Sequence, residues 1–307
     1  MSDPLEPKFP PELEESIFSF ALHADWQNSV KLILVAKRVY YWLLPQIYEV
    51  VVFHSHRVEN GRRPRCSSRN LVQYGKNARY IMFYNSQGPD RTGLHDTLTD
   101  CLSWCPNLID VALWVKDELY EEVLVNQLLS LRQMTHLSWD FSAFQLGLAK
   151  FGYKPPRTFT NVTHLELIGS YKVVNPYKVQ EYFPSLTHIA FTARGQTPIE
   201  ALREVLNCFK DQIEVVIWYL GDSDDHPMPT VFPTSSWIRS DDPRIVVLDY
   251  GHDFVDTWYE GTRNGPSLWK VAEDTVKARR GIGTSDDPRH GSELPCDGAS
   301  ASPMHVD

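Results

Sequence analysis

The chain has 307 residues, of which 42% are hydrophobic and 22% are charged, a composition typical of a globular protein with a sizeable core. Its net charge of -9 and its isoelectric point near 5.7 argue against general nucleic-acid binding, because such binding needs a basic surface. The five cysteines are scattered, and neither a secretion signal nor a membrane-spanning apolar run is present, so we expect a cytoplasmic or nuclear protein.

Residues 1–53 have the pattern of a small helical module. Pro10 suits the start of a first helix, because proline lacks the N–H that would have no partner there. Apolar residues recur at helical spacing after it, and a second helix follows. A third helix is predicted from Lys37 to Leu43, stopped near Pro45. The module ends in the short β-prone run Val50–Phe53.

This module resembles an F-box. Phe9-Pro10-Pro11-Glu12-Leu13 stands in the place of the family's Leu-Pro-x-Glu-Leu/Ile, and Leu34-Val35-Ala36-Lys37-Arg38 matches its Leu-Val-Ser/Cys-Lys-Arg. Leu44-Pro45-Gln46-Ile47-Tyr48 matches an ending common in fungal members. Two departures are Phe9, where the family has leucine, and Val39, where it has an aromatic residue. The alternative is an ordinary three-helix cap.

A repeat follows a polar, basic connector at residues 54–74, which we expect to be exposed. Between residues 75 and 280 the pattern apolar-x-x-apolar-x-apolar recurs, with its central positions 24 to 32 residues apart. These central positions are Ile81, Val111, Leu137, Leu165, Ile189, Val216 and Leu248. Apolar helical segments lie between them, and strands alternating with helices predict a parallel sheet.

The repeats resemble leucine-rich repeats, whose period is roughly 20–29 residues. The asparagine or cysteine that normally follows each strand is missing, so we expect an irregular leucine-rich-repeat-like α/β solenoid without a ladder of side-chain amides. A helix around Ser267–Arg280 should cap the open end of the array. Residues 281–307 are rich in Gly, Ser, Asp and Pro, and we expect them to be disordered.

One face of the predicted strands is the expected binding surface for a target protein. We expect its exposed, concave positions to be Trp114, His136, Asp140, His164, Glu166, His188 and Thr192. Three of these are histidines at the same position of successive repeats, which would stand about 4.8 Å apart on neighbouring strands. They could form a ladder that binds metal or senses pH, or they could be a residue preference at an exposed strand position. We expect the second, and no metal site.

The two resemblances together imply a substrate receptor of a cullin-type (SCF) ubiquitin ligase. In that role the F-box-like module binds the adaptor subunit, which links it to the cullin scaffold, while the repeats hold the target. The residues that the match assigns to the adaptor are Pro10, Leu13, Ile17, Leu34, Val35 and Lys37. We therefore expect a protein without catalytic residues or cofactors. A repeat scaffold with no ubiquitin role is the alternative, and a deep pocket of clustered, perturbed titratable groups would favour an enzyme.

Overall fold

The structure, a computed structural model, describes a large part of the chain. The described residues are 9–24, 30–54, 68–85, 94–115, 122–140, 158–168, 176–193, 199–220, 242–249, 254–263 and 267–282. They form an α/β fold in which helices pack on both faces of one parallel sheet. The tail expected to be disordered lies outside the described residues, apart from its first two positions.

The N-terminal segment is helical, as its sequence pattern predicts. Helix α1 spans Pro11–Ala24, a 3-10 helix spans Val30–Leu34, and α2 spans Lys37–Ile47. Pro45 does not stop the last helix, which continues to Ile47. Proline removes one N–H from a helix, and at an exposed position this close to the end the loss falls on the final turn only.

Eight parallel strands form one open sheet in which each strand lies beside the next one in the sequence. They are β1 Val50–His54, β2 Tyr80–Asn85, β3 Asp110–Val115, β4 His136–Asp140, β5 His164–Ile168, β6 His188–Ala193, β7 Val215–Leu220 and β8 Ile245–Asp249. The predicted parallel sheet is therefore confirmed. β1 belongs to it, although the sequence grouped this run with the helical module.

Five helices of the described chain cover one face of this sheet. They are α3 Ser68–Tyr74, α4 Leu94–Trp104, α5 Glu122–Ser130, α6 Pro176–Tyr182 and α7 Ile199–Phe209. A short 3-10 helix, Gly75–Asn77, follows α3. The end of the predicted connector is thus helical, and most of the rest of it lies outside the described residues. In the largest buried cluster of the described chain, these helices pack against every second side chain of the strands.

The register of the strands follows the repeat for all but its last copy. Ile81 pairs with Val111, and the pairing continues through the next four predicted central positions. The last position was wrong, because Val216 pairs with Ile245 and not with Leu248. Val51 pairs with Ile81 and adds a first member that the sequence pattern had missed.

Strands β2 to β7 enter the sheet through the same kind of turn. Six backbone carbonyls each accept two N–H groups from the start of the next strand along the sheet, and they belong to Glu49, Arg79, Ile109, Thr135, Thr163 and Thr187. Side-chain amides join some of these turns, since Asn107 donates to the Lys76 carbonyl and Asn161 to the Arg132 carbonyl. The positions after the strands, where the sequence predicts no ladder of side-chain amides, lie outside the described residues, so that expectation stays a prediction.

Two C-terminal helices cover the other face of the sheet. Helix α8 spans Phe254–Arg263 and packs over β1 to β3, while α9 spans Leu268–Ile282 and packs over β6 to β8. The sequence predicted α9 as a cap on the open end, and this was wrong in position. Its buried side chains, Ala272 and Val276, rest on the face of β6 to β8. The described helices include none that is long and apolar enough to cross a membrane.

Candidate functional site

The six residues that the sequence assigns to an adaptor all lie on the surface of the N-terminal module. Leu13 and Ile17 are each 53% exposed, Leu34 is 82% exposed and Val35 is 62% exposed. Pro10 and Lys37 are exposed as well. Four apolar side chains at these positions therefore face solvent although the module has a core of its own.

The interior of the module is built from a different set of side chains. Its buried cluster consists of Leu22, Val39, Leu43 and Ile47. On α1, Leu13, Ile17 and Phe20 follow one another at helical spacing along an exposed stripe, while Leu22 turns inward to α2. The helices are therefore packed together without using the exposed stripe.

Polar contacts fix the angle at which the two helices meet. The carboxylate of Glu14 on α1 is mostly buried and accepts a hydrogen bond from the guanidinium of Arg38 on α2 at 3.1 Å, and the shortest ion-pair distance between the two groups is 2.8 Å. The amide of Gln46 on α2 donates to the hydroxyl of Ser19 on α1 at 2.8 Å. These contacts use the Arg38 position of the F-box-like match for structure and leave Lys37 beside it exposed.

The expected target-binding face is not exposed, because α8 and α9 cover it. Trp114, Glu166 and His188 are only 6%, 7% and 6% exposed, and His136 and His164 are half-buried. The prediction that these side chains face solvent was therefore wrong. Asp140 and Thr192 lie at the ends of β4 and β6, and their side chains fall outside the described residues.

The three histidines do form a ladder across neighbouring strands. Their pairing in register is confirmed, and successive rings stack at 4.1 Å between centroids, with His164 in the middle. Burial and, after it, the other histidines of the ladder lower the pKa of His136 to about 4 and that of His164 to about 2. Burial also lowers the pKa of His188, against the raising effect of Glu273. The ladder is therefore neutral at pH 7.

A cavity of about 260 Å³ lies between the middle strands and the two C-terminal helices. Its lining includes Asp110, Ser138 and Glu166 from the strands and Trp258 and Trp269 from the helices. The Ser138 hydroxyl donates to the Glu166 carboxylate at 2.6 Å and accepts from the Trp114 indole at 2.6 Å. These bonds satisfy polar groups that the helices remove from solvent.

The acidic groups of the cavity influence each other. Burial and, after it, the charge of Glu166 raise the pKa of Asp110 to about 7, although a hydrogen bond from Trp258 opposes both effects. A carboxyl group that is half protonated near pH 7 can give or take a proton under cellular conditions. A cavity with such a group is the feature that favours an enzyme, and this one lies beneath the covering helices.

Sequence reasoning missed the residues that the C-terminal helices bring to this cavity. Trp258, Trp269 and Glu273 reach strands that lie far from them in the chain. The spacing of Val255, Trp258 and Tyr259 fits one helix face and could have indicated α8. That spacing does not indicate on which face of the sheet the helix packs. The chain matches no protein-family model and no curated protein.

Proposed function

We propose that this chain is the substrate-recognition receptor of a cullin-type ubiquitin ligase and that its N-terminal module docks on the adaptor subunit. The observation that carries the proposal is the exposure of Leu13, Ile17, Leu34 and Val35 on a module whose core excludes them. These are the apolar positions that the F-box resemblance assigns to the adaptor. The residues that the resemblance assigns to the adaptor are thus the ones that the structure leaves exposed, and this agreement supports a docking role.

The distribution of exposed apolar residues supports the same role. Among the described residues, seven of the eleven large hydrophobic side chains that are strongly exposed lie between residues 9 and 41. Covering a fully exposed side chain of this kind contributes about 1.5–3 kcal/mol, and covering Leu13 or Ile17, which are 53% exposed, contributes about half as much. Exposed apolar side chains concentrated on one small module are typical of an interaction site.

The array of strands and helices would hold the target, as the second resemblance implies. We propose that it is an irregular leucine-rich-repeat-like solenoid, which its sequential strand order and recurring turns support. Trp114, Glu166 and His188 can touch a target only if α8 and α9 move away from the sheet.

Binding of the full-length chain to a purified fungal adaptor subunit, followed by isothermal titration calorimetry, tests the docking proposal. We expect micromolar or tighter binding by the wild type. The double substitution Pro10→Ala and Leu13→Asp should weaken it by about 30-fold or more, because a carboxylate in an apolar contact loses its hydration without compensation.

The matched control is Val123→Asp, which places the same charge at an apolar residue that is 49% exposed on α5, outside the module. This variant should bind as the wild type does. Failure of the wild type to bind the adaptor at micromolar concentration, or equal losses in both variants, would contradict the proposal. The chain would then be better described as a repeat-based scaffold without a ubiquitin role.

A further inference from the structure

Three potential metal ligands meet where α9 crosses the sheet. They are His164 on β5, His188 on β6 and Glu273 on α9, and their donor atoms lie within 4.8 Å of one another. The sequence alone predicted no metal here, because the histidines were expected on an exposed face. The structure covers them and adds a carboxylate from a distant part of the chain.

Threonine hydroxyls orient the two imidazole rings. Nδ1 of His164 lies 2.8 Å from the hydroxyl oxygen of Thr163, and Nδ1 of His188 lies 2.8 Å from that of Thr187. Each hydroxyl also reaches a backbone carbonyl of the preceding strand, at 3.4 Å and 3.3 Å. A hydroxyl that donates to a carbonyl accepts from the ring, so the proton sits on Nδ1 and the lone pair on Nε2. This arrangement is the one that metal-binding histidines have.

The Nε2 atom of His188 is buried and has no hydrogen-bond partner among the described residues. The residue is only 6% exposed. The nearest acidic atom is Oε1 of Glu273 at 3.6 Å, which is too long for a hydrogen bond. Two ligands at 2.0–2.2 Å from a tetrahedral zinc ion stand about 3.4 Å apart, close to this separation.

We propose that His164, His188 and Glu273 bind one divalent transition-metal ion, for which zinc is the best fit. Two imidazoles and one carboxylate form a ligand set that zinc takes with its fourth position left for water or another ligand. The second carboxylate oxygen of Glu273 lies 3.4 Å from the ammonium of Lys277, which leaves Oε1 for the metal. The ion joins α9 to the middle of the sheet.

Metal binding requires one local change. The rings of His164 and His188 are stacked at 4.1 Å with 16° between their planes, so their Nε2 lone pairs lie in two nearly parallel planes. One ring must tilt for both lone pairs to reach one ion. The Trp269 indole lies edge-on to both rings, with its centroid 5.0 Å from that of His164 and 6.0 Å from that of His188. A tilt of either ring therefore changes the surroundings of this indole. We expect zinc to shift the NMR signals of both imidazoles and of this indole.

The test uses the full-length chain without a histidine tag, stripped with a chelator and titrated with zinc chloride. Native mass spectrometry should show one retained ion, and calorimetry should give one site. His188→Asn and Glu273→Gln should each weaken zinc binding by about 100-fold or more, since loss of a mere supporting group already costs 10- to 100-fold. Circular dichroism shows whether each variant is folded.

Two matched controls complete the design. His136→Asn removes a ladder histidine that is not one of the three proposed ligands. Asp274→Asn removes the carboxylate of an exposed residue that lies beside Glu273 and pairs with Lys270. Both should bind zinc as the wild type does. Absence of a stoichiometric site in the wild type, unchanged affinity in folded Glu273→Gln, or equal losses in the controls would overturn the proposal. Adaptor binding is measured separately, so the two proposals fail independently.

Discussion

Gly75 packs against the end of α4 so closely that a larger residue meets backbone. A Cβ atom at this position would lie 2.6 Å from the carbonyl oxygen of Trp104 and 3.0 Å from the sulfur of Cys105. We expect Gly75→Ala to lower the free energy of unfolding by about 1–3 kcal/mol, because the clash is with rigid backbone. Urea denaturation measures the change.

Gly281 on α9 provides the control for this prediction. A Cβ atom there would meet nothing within 4 Å, and the residue lies in the last turn of the helix. Gly281→Ala should leave stability unchanged or raise it by up to about 1 kcal/mol, since alanine is the better helix former. Equal effects of the two substitutions would contradict the steric account of Gly75.

Asp110 should make stability depend on pH in the opposite sense to most carboxylates. Its pKa is raised by burial and by Glu166 to about 7, above its ordinary value. The stabilising contribution of its protonated form is complete below about pH 4 and is lost as the pH rises through 7. Asp110→Asn should therefore gain stability relative to the wild type between pH 4 and 8.

Thermal melts of both proteins across this range give the difference directly. The histidines titrate in both proteins, so subtracting the two profiles removes their contribution. A difference in melting temperature that stays constant from pH 4 to pH 8 would show that Asp110 is not protonated in the folded protein.

At the scale of elements, strand register was predictable from sequence wherever the complete apolar pattern was present. The residue three positions before each central one is apolar in six repeats and becomes Asp242 before Ile245. Asp242 instead forms an ion pair with Arg244 at 2.7 Å. Because Asp242 is not apolar, the sequence pattern took Ile245 as its first apolar position and predicted Leu248 as the central one. Ion pairing at a turn is not visible in a pattern of apolar residues.

Helix α9 should be essential to the fold, in contrast to the residues that follow it. A chain ending at Arg263 loses the cover over Ala190, Ile217 and Tyr219. Losing the burial of Trp269, Ala272, Val276 and their contacts costs about 5 kcal/mol, which corresponds to a fall in melting temperature of about 10–20 °C. Differential scanning calorimetry of this chain and of one ending at Ile282 tests the idea.

The longer of these two chains should melt as the intact protein does, because the deleted residues contain few apolar side chains. If the two truncations melt alike, α9 adds nothing to the stability of the sheet. Binding of a hydrophobic dye by the shorter chain provides a second measurement, since the uncovered face of β6 to β8 is apolar.

At the scale of the whole molecule, the sequence predicted the layer of strands and helices but not what covers its second face. The repeat is a local pattern, and each copy packs on its neighbour. Val255 and Val50 belong to one buried cluster, which joins distant parts of the chain and has no counterpart in any periodicity. For the same reason Glu273 could not be assigned to the histidines from sequence. The site is formed by non-local packing.

The return of α8 to the first three strands also sets an order of events during synthesis. Strands β1 to β7 are complete at Leu220, whereas α9 ends at Ile282. At about 5–20 residues per second the ribosome needs roughly 3–12 seconds to make the residues between them. Until α8 and then α9 are made, Trp114 and Tyr219 lack the cover that these helices give them, so a nascent chain stalled before α8 is the form in which we expect chaperones to find this protein.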